Sequence, residues 1–338
     1  MKNNKKILIT GTAGFIGFHV AKYFLNKEWN VIGLDGITDY YDINIKLDRH
    51  NILSEFKNFK KFEFLIEDYD KLKEVLEYEK PDIIIHLAAQ AGVRYSIKNP
   101  KAYLDSNIVG TFNILDIIKS LKVKHLLISS TSSVYGDNIT QPFHENEKTD
   151  YPLSFYAATK KSCEVLAHSY SYKYNLPITV FRCFTVYGPW GRPDMALFKF
   201  TKSILNNERI DIYNHGKMSR DFTYIDDLVE GIYKISKKIP NIETKIKNQN
   251  DSISKFAPYR IVNIGGSSPT ELMYFVKLIE KSLGINAKKN FIDNQIGDVK
   301  STWSDTSLIE NLVRFKPKTS IEVGIKKFIS WYKKYYEV

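Results

Sequence analysis

Along the chain, short apolar runs alternate with segments whose apolar residues recur at helical spacing. Lys6–Thr10 is a β-branched run that predicts a buried strand, and Ile16, Val20 and Phe24, flanked by Ala21 and Leu25, predict the helix after it. Asn30–Leu34, ending in Asp35, predicts a second strand. Phe62–Ile66 predicts a third, and Asp70–Tyr78 a short helix with Leu72, Val75 and Leu76 inward. Strand four, Asp82–Ala89, is an apolar run opening into small residues, as a central parallel strand beneath a flat ligand requires. A helix over Tyr103–Lys119 would carry Ile108, Phe112, Leu115 and Ile118 on one side. His125–Ser129 reads as strand five, Leu153–Tyr174 as a long helix with Val165, Leu166 and Tyr170 packing inward, and Pro177–Arg182 as strand six. Strands alternating with helices in this way predict an α/β fold, a doubly wound parallel sheet.

The texture changes after Cys183. Phe184–Met195 is an aromatic loop punctuated by glycine and proline. Helices are predicted at Phe198–Leu205, Leu228–Lys237, Thr270–Leu283 and Ile321–Tyr335, with a short strand at Asp211–Tyr213 and strand seven at Tyr259–Ile264. Pro240–Ala257 is polar and lacks periodicity, which predicts an exposed loop or a disordered insertion. The later segments are too short for a large core of their own. They predict a small C-terminal lobe over the carboxyl edge of the sheet.

Composition narrows the function classes. The 338-residue chain can bury a full core, and 43% hydrophobic and 26% charged residues are ordinary values. No apolar run approaches the roughly 20 residues of a membrane span. Met1–Lys6 is basic, but Ile7–Ile9 is too short for a signal peptide, so the cytoplasm is the expected compartment. A formal charge of +11 invites a nucleic-acid reading. The basic residues are instead spread along the chain, mostly as lysines interleaved with asparagines, so no nucleic-acid partner is expected. An anionic small molecule needs only two or three placed cations. Cys163 and Cys183 carry no metal spacing and suggest no disulfide framework.

Several short motifs carry candidate chemistry. In Thr10–Gly17, Gly11 permits a tight turn, Gly14 lets backbone approach a pyrophosphate, and Gly17 allows close helix–strand packing. The strand before, the helix after and Asp35 complete a dinucleotide-binding unit. A carboxylate at Asp35 accepts hydrogen bonds from a ribose and repels a 2′-phosphate, which favours NAD over NADP. Asp68 is placed to contact an adenine edge. Arg94, in the Gln90–Ser96 segment, is a candidate for a substrate phosphate or carboxylate. Asn107 lies among apolar neighbours, where it either braces the catalytic helix or is a satisfied core amide. Ser129–Ser133 puts five hydroxyl residues in succession at the carboxyl end of a parallel strand, where ligands sit in such folds. Tyr156 and Lys160, four residues apart, share a helix face. An ammonium there would pull the phenol down from a pKa of about 10, making it a general base for a hydroxyl proton.

With these motifs in order, the chain resembles the extended short-chain dehydrogenase/reductases of the NAD-dependent epimerase/dehydratase family. It is most similar to the branch of nucleotide-sugar 4-epimerases acting on UDP-glucuronate. The stretches that carry the likeness are His86–Ser96, Tyr156–Lys161, Phe184–Asp194 and Asn214–Asp227. The resemblance implies a Rossmann domain over residues 1–184, with returning segments near 221–237 and 259–266, and a UDP-sugar lobe from 185–220 and 267–338. It implies NAD held by Gly11, Gly14, Phe15, Ile16, Gly17, Asp35, Asp68, Leu87, Ala88, Ala89, Gln90, Asn107, Ser129, Tyr156 and Lys160. Tyr156 would be the base, Lys160 would lower its pKa, and Thr131 would hydrogen-bond the same sugar 4-oxygen. Arg220 would bind the diphosphate, with Arg94 as a candidate to share the task because Gln295 stands where many relatives have arginine, and Asp298 would hold a ribose hydroxyl. Thr185, Arg192, Ser132 and Ser133 would grip the uronate carboxylate. Related decarboxylases carry Thr-Ser-Glu where this chain has Thr131-Ser132-Ser133, which argues for epimerisation without loss of CO₂. The resemblance also implies a homodimer through the helices from Tyr103 and Leu153. Epimerisation of another UDP-hexose, decarboxylation, and non-catalytic NAD binding remain as alternatives.

Overall fold

Seven parallel strands form the central sheet of the computed structural model, which describes residues 5–243, 250–293 and 299–338. Numbering strands in chain order, these are β1 (Lys6–Thr10), β2 (Asn30–Asp35), β3 (Phe59–Glu63), β4 (Ile83–His86), β5 (His125–Thr131), β6 (Ile178–Cys183) and β10 (Tyr259–Ile264). They lie in the order β10-β6-β5-β4-β1-β2-β3. The chain therefore reverses direction across the sheet between β1 and β4. A crevice opens at the carboxyl ends of such a pair, and ligands bind there in this architecture.

Helices cover both faces. On one, α1 (Phe15–Asn26) and α9 (Ile225–Ser236) lay Phe18, Phe24, Leu228 and Ile232 against Ile7 and Ile9. On the other, α3 (Tyr69–Glu79), α6 (Gly110–Ile118) and α7 (Phe155–Tyr174) pack Leu72, Leu76, Leu115 and Ala167 against Leu8, Ile84 and Leu126. Alternate residues of β1 thus feed opposite cores, as the two-residue period of a strand dictates. The first core runs without a break into Phe198, Phe275 and Phe328 of the later helices α8 (Ala196–Leu205), α10 (Leu272–Leu283) and α12 (Ile321–Tyr336). Two small sheets complete the lobe. One joins β7 (Thr185–Tyr187), β9 (Ser219–Tyr224) and β11 (Pro269–Glu271); the other pairs β8 (Arg209–Ile212) with β12 (Lys288–Phe291).

Several expectations are corrected. The third strand begins at Phe59, three residues before its predicted start, because β2 pairs with Phe59–Glu63 and releases Leu65 and Ile66 to line the crevice. Strand four stops at His86, where the Thr10 hydroxyl captures the Leu87 and Ala88 N–H groups at 3.0 and 2.9 Å. The helix expected over Tyr103–Lys119 is broken into α5 (Pro100–Tyr103), a π-helical turn at Leu104–Val109, and α6. Val165, expected inward, is exposed, and Phe112, expected on one side with Leu115 and Ile118, is exposed while those two are buried. A further helix, α2 (Ile43–Ser54), escaped the pattern because its inward face carries Lys46, Arg49 and His50 beside Ile45 and Leu53. Within Pro240–Ala257, residues 250–257 are not an exposed loop. Ile253 and Ala257 are buried, and Asp251 pairs with Arg260 on β10 at 3.0 Å; residues 244–249 lie outside the described residues.

Candidate active site

One cavity of about 640 Å³ follows the crevice from the glycine turn to the lobe. At its near end Gly11 adopts a φ of +79°, and a Cβ there would stand 2.9 Å from the Ala88 nitrogen. A Cβ on Gly17 would sit 1.9 Å from the Gly11 carbonyl oxygen, so α1 packs directly on the turn. Gly14 caps α1 with no side-chain acceptor, leaving the first-turn N–H groups directed at the cavity. Asp35 accepts from Ala13 N–H at 2.9 Å and from Ile37 N–H at 2.8 Å. Its carboxylate therefore shapes the glycine turn as well as facing the cavity.

The floor is set by a buried polar chain. The Thr10 hydroxyl, having accepted two backbone N–H groups, meets His86 Nδ1 at 2.9 Å, and His86 Nε2 meets Thr111 Oγ1 at 3.1 Å. Thr111 donates to Cys163 Sγ, and Cys163 donates to the Asn107 carbonyl. Burial first, and then the nearby Lys160 charge, push the His86 pKa down to about 3, which keeps the ring neutral; because Thr111 spends its proton on Cys163, the ring proton sits on Nε2. Asn107 does not line the cavity. Its side chain accepts from Gln90 N–H at 2.8 Å and donates to the Gln90 carbonyl and to Thr159 Oγ1, joining the cavity wall to α7.

Ser154 caps α7 by accepting from Ala157 N–H at 3.1 Å, which places Tyr156 in the first turn and Lys160 one turn later. Lys160 is buried and Tyr156 opens onto the cavity. Burial raises the Tyr156 pKa above its ordinary value; a hydrogen bond with Thr131 and the Arg192 charge oppose it. Burial likewise lowers that of Lys160. The expected depression of the phenol by Lys160 is thus corrected: desolvation outweighs it, and the opposing groups are Thr131 and Arg192. Beneath them, Glu164 and Arg182 form a buried pair at 2.8 Å, and Ser130 donates to Glu164 at 2.6 Å, locking α7 to β5 and β6.

At the far end Ser132, Ser133, Thr185 and Arg192 line the same cavity as Tyr156. Arg192 is already bound on one edge: Nε donates to Asp194 at 2.9 Å and Nη2 at 2.6 Å. Tyr40 donates to the same carboxylate at 3.1 Å. Arg94 lies 4.1 Å from the Tyr213 ring centre, and Arg220 donates to the Ser219 and Lys300 carbonyls. Both line the cavity with Lys199 between the lobe elements.

Of the residues singled out from sequence, Gly11, Gly14, Phe15, Ile16, Gly17, Asp35, Leu87, Ala88, Ala89, Gln90, Arg94, Ser129, Thr131, Ser132, Ser133, Tyr156, Lys160, Thr185, Arg192 and Arg220 line this one cavity. Asp68 does not. It caps α3, accepting from Lys71 N–H and pairing with the Lys71 ammonium at 2.9 Å, while Glu67 takes the wall position. Asp298 lies outside the described residues, as does Gln295. The sequence reading missed Tyr40, Lys46, Asp194, Lys199 and Tyr213 as lining residues. Only Asp194 carried a signal, two residues after Arg192.

Residues 8–328 match the family model described as GDP-mannose 4,6 dehydratase. The chain belongs to this family. Among family relatives it is 51% identical over 98% of both chains to a probable UDP-glucuronate 4-epimerase of Rhizobium meliloti. It is 41% identical to the UDP-glucuronate 4-epimerase of Thermodesulfobacterium geofontis, over 98% of this chain and 97% of that one. Its fold matches the Bacillus cereus UDP-glucuronic acid 4-epimerase, solved with UDP-glucuronic acid and NAD, at a TM-score of 0.87. That likeness covers 98% of this chain and 100% of the other, at 34% identity. Among the described residues no helix is long and apolar enough to cross a membrane.

Proposed function

We propose that this family member interconverts UDP-glucuronate and UDP-galacturonate through a 4-keto sugar, using tightly bound NAD. The observation that carries the reading is the convergence of Thr131–Ser133, Thr185 and Arg192 on the cavity that Tyr156 opens into. The near end fits NAD: side-chain-free backbone at Gly11 and Gly17, the open N-terminus of α1, and the Asp35 carboxylate. Gly11, Gly14 and Gly17 would pass the pyrophosphate close to backbone, and Asp35 would hold the adenosine ribose. NAD, when bound, would supply a hydride acceptor and positive charge to the site.

The remaining chemistry belongs to the chain. Tyr156 takes the proton of the sugar 4-hydroxyl and returns it after the keto sugar has turned over, while Thr131 hydrogen-bonds the same oxygen. Lys160 would hold the nicotinamide ribose and adds positive charge to the site. Arg220, with Arg94 and Lys199, offsets the diphosphate. Arg192, Thr185, Ser132 and Ser133 hold the carboxylate, and no carboxylate side chain replaces Ser133 to assist loss of CO₂. Exposed Phe112, Val109 and Val165 on the helices around α6 and α7 support a homodimer, and the cytoplasm is the compartment this reading expects.

The test is incubation with UDP-glucuronate and chromatographic resolution of products. UDP-galacturonate is expected, and NAD should be released on denaturing the purified protein. A UDP-pentose product, or no conversion, would sink the reading. Light scattering should give twice the chain mass.

A further inference from the structure

The guanidinium that faces the sugar end of the cavity has five N–H donors, and the structure shows how they are divided. Nε and one Nη2 proton go to Asp194, and Nη2 also reaches the Ala91 carbonyl at 3.4 Å. Among the described residues Nη1 has no protein acceptor, although Arg192 lines the cavity. A ligand carboxylate can therefore approach only the Nη1 edge. Its partner on the other edge is itself held by a third donor, the Tyr40 hydroxyl. Tyr40 reaches that position because Gly92, with a φ of +113°, has no Cβ; one would stand 2.9 Å from the hydroxyl. Tyr40 is fixed in turn against Tyr95, with ring centres 4.7 Å apart.

We propose that Asp194, braced by Tyr40, is a positioning residue that aims the Nη1 edge of Arg192 at the substrate carboxylate and thereby protects the 4-keto uronate from decarboxylation. The inference rests on the proposed epimerase activity and names what keeps that activity faithful. In a 4-keto uronate the C5–C6 bond breaks when it aligns with the C4 carbonyl π system. C6 then leaves as CO₂, the electron pair moves into a C4–C5 enolate, and C5 takes a proton from water to give a 4-keto pentose, whose carbonyl would take back the hydride lodged on the cofactor to leave the UDP-pentose. A carboxylate held on a fixed guanidinium edge cannot rotate into that alignment. A guanidinium free to swing lets it rotate.

Three variants separate position from charge. Asp194→Glu keeps the charge and lengthens the brace by one methylene, Asp194→Asn removes the charge, and Tyr40→Phe removes only the third donor. Each is assayed with UDP-glucuronate for kcat, KM and the ratio of UDP-pentose to UDP-galacturonate. Affinities for UDP-glucuronate and the uncharged UDP-glucose are measured by calorimetry. Both Asp194 variants are expected to lose about tenfold or more in kcat, as misplacement of a binding group does. They should divert a measurable share of product to UDP-pentose while binding UDP-glucose as the parent does; Tyr40→Phe should move the same way by less. Unchanged kcat and product ratio in Asp194→Glu would overturn the proposal. So would Asp194→Asn binding the uronate more tightly with no pentose formed, since Asp194 would then be a counter-charge only. If the parent protein does not turn over UDP-glucuronate, the epimerase reading falls. Calorimetry then decides the positioning of Arg192: uronate preference lost in Asp194→Glu upholds it, and preference kept refutes it.

Discussion

At the glycine-turn end of the cavity the walls are mostly backbone, laid down by one continuous βαβ unit from β1 to Asp35. At the Arg192 end they are side chains drawn from the β2–α2 segment, the turn after β5, β7 and the loop before α8. The first end achieves closeness by omitting atoms: the missing Cβ of Gly11 and Gly17 is the feature. The second achieves direction by adding charged partners, with Asp194 and Tyr40 fixing a guanidinium. On the proposed function, the ligand that must stay is met by shape, and the one that must be discriminated is met by oriented charge.

Tyr156 stands where the two ends meet, so its loss should be the largest effect on rate and neutral to both. Tyr156→Phe is expected to lower kcat about a thousandfold, within the usual worth of a general base. NAD content and UDP-glucuronate affinity should be retained; losing either would mean the ends are not separable. Gly17→Ala attacks the first end alone. Its Cβ would meet a backbone oxygen at 1.9 Å, and overpacking of this kind costs about 3 kcal/mol. The purified variant should carry little NAD on denaturation, while a variant with full NAD would refute the shape argument. Arg192→Gln attacks the second end. Its preference for UDP-glucuronate over UDP-glucose should fall on the order of tenfold to a hundredfold, as for loss of a charged hydrogen bond. NAD content should not change.

The smallest effect lies behind both ends. Glu145 is buried, accepts from Asn263 N–H, and burial pushes its pKa up to about 7 from 4.5. The folded protein then binds a proton that the unfolded chain has released between about pH 4.5 and 7. Stability from this group is complete below that window and is lost as pH rises through it. Glu145→Gln should flatten this fall and stabilise the protein at pH 8 by roughly 2 kcal/mol. Thermal denaturation across pH 5–8 checks it; an unaltered slope would remove Glu145 from the account.

The two ends also differed in legibility. Gly11, Gly14, Gly17 and Asp35 lie within one short stretch whose spacing reflects local backbone geometry, so the pattern alone placed them. The grip proposed for Ser132, Ser133, Thr185 and Arg192 came from resemblance, because no periodicity relates residues on separate elements. Asp194 left a trace two residues after Arg192, but the Tyr40 brace on it was beyond sequence, since a contact across 154 positions leaves no local trace. Helix α2 failed for a different physical reason: Lys46, Arg49 and His50 point inward and erase the apolar stripe by which helices are read. Asp68 failed because an aspartate ahead of a helix serves equally as a cap.

One of those inward residues bears on how this molecule could be redesigned. Arg49, fully buried, donates to the Ala13 carbonyl of the glycine turn at 2.7 Å and to the Trp190 carbonyl of the sugar-end loop at 2.7 Å. The loop that carries Arg192 is therefore not a cassette that can be exchanged at will. Any graft must return a carbonyl to Arg49, or it leaves the Nη2 donors of a buried cation without acceptors, at a cost of about 2–3 kcal/mol, and loosens its hold on the glycine turn.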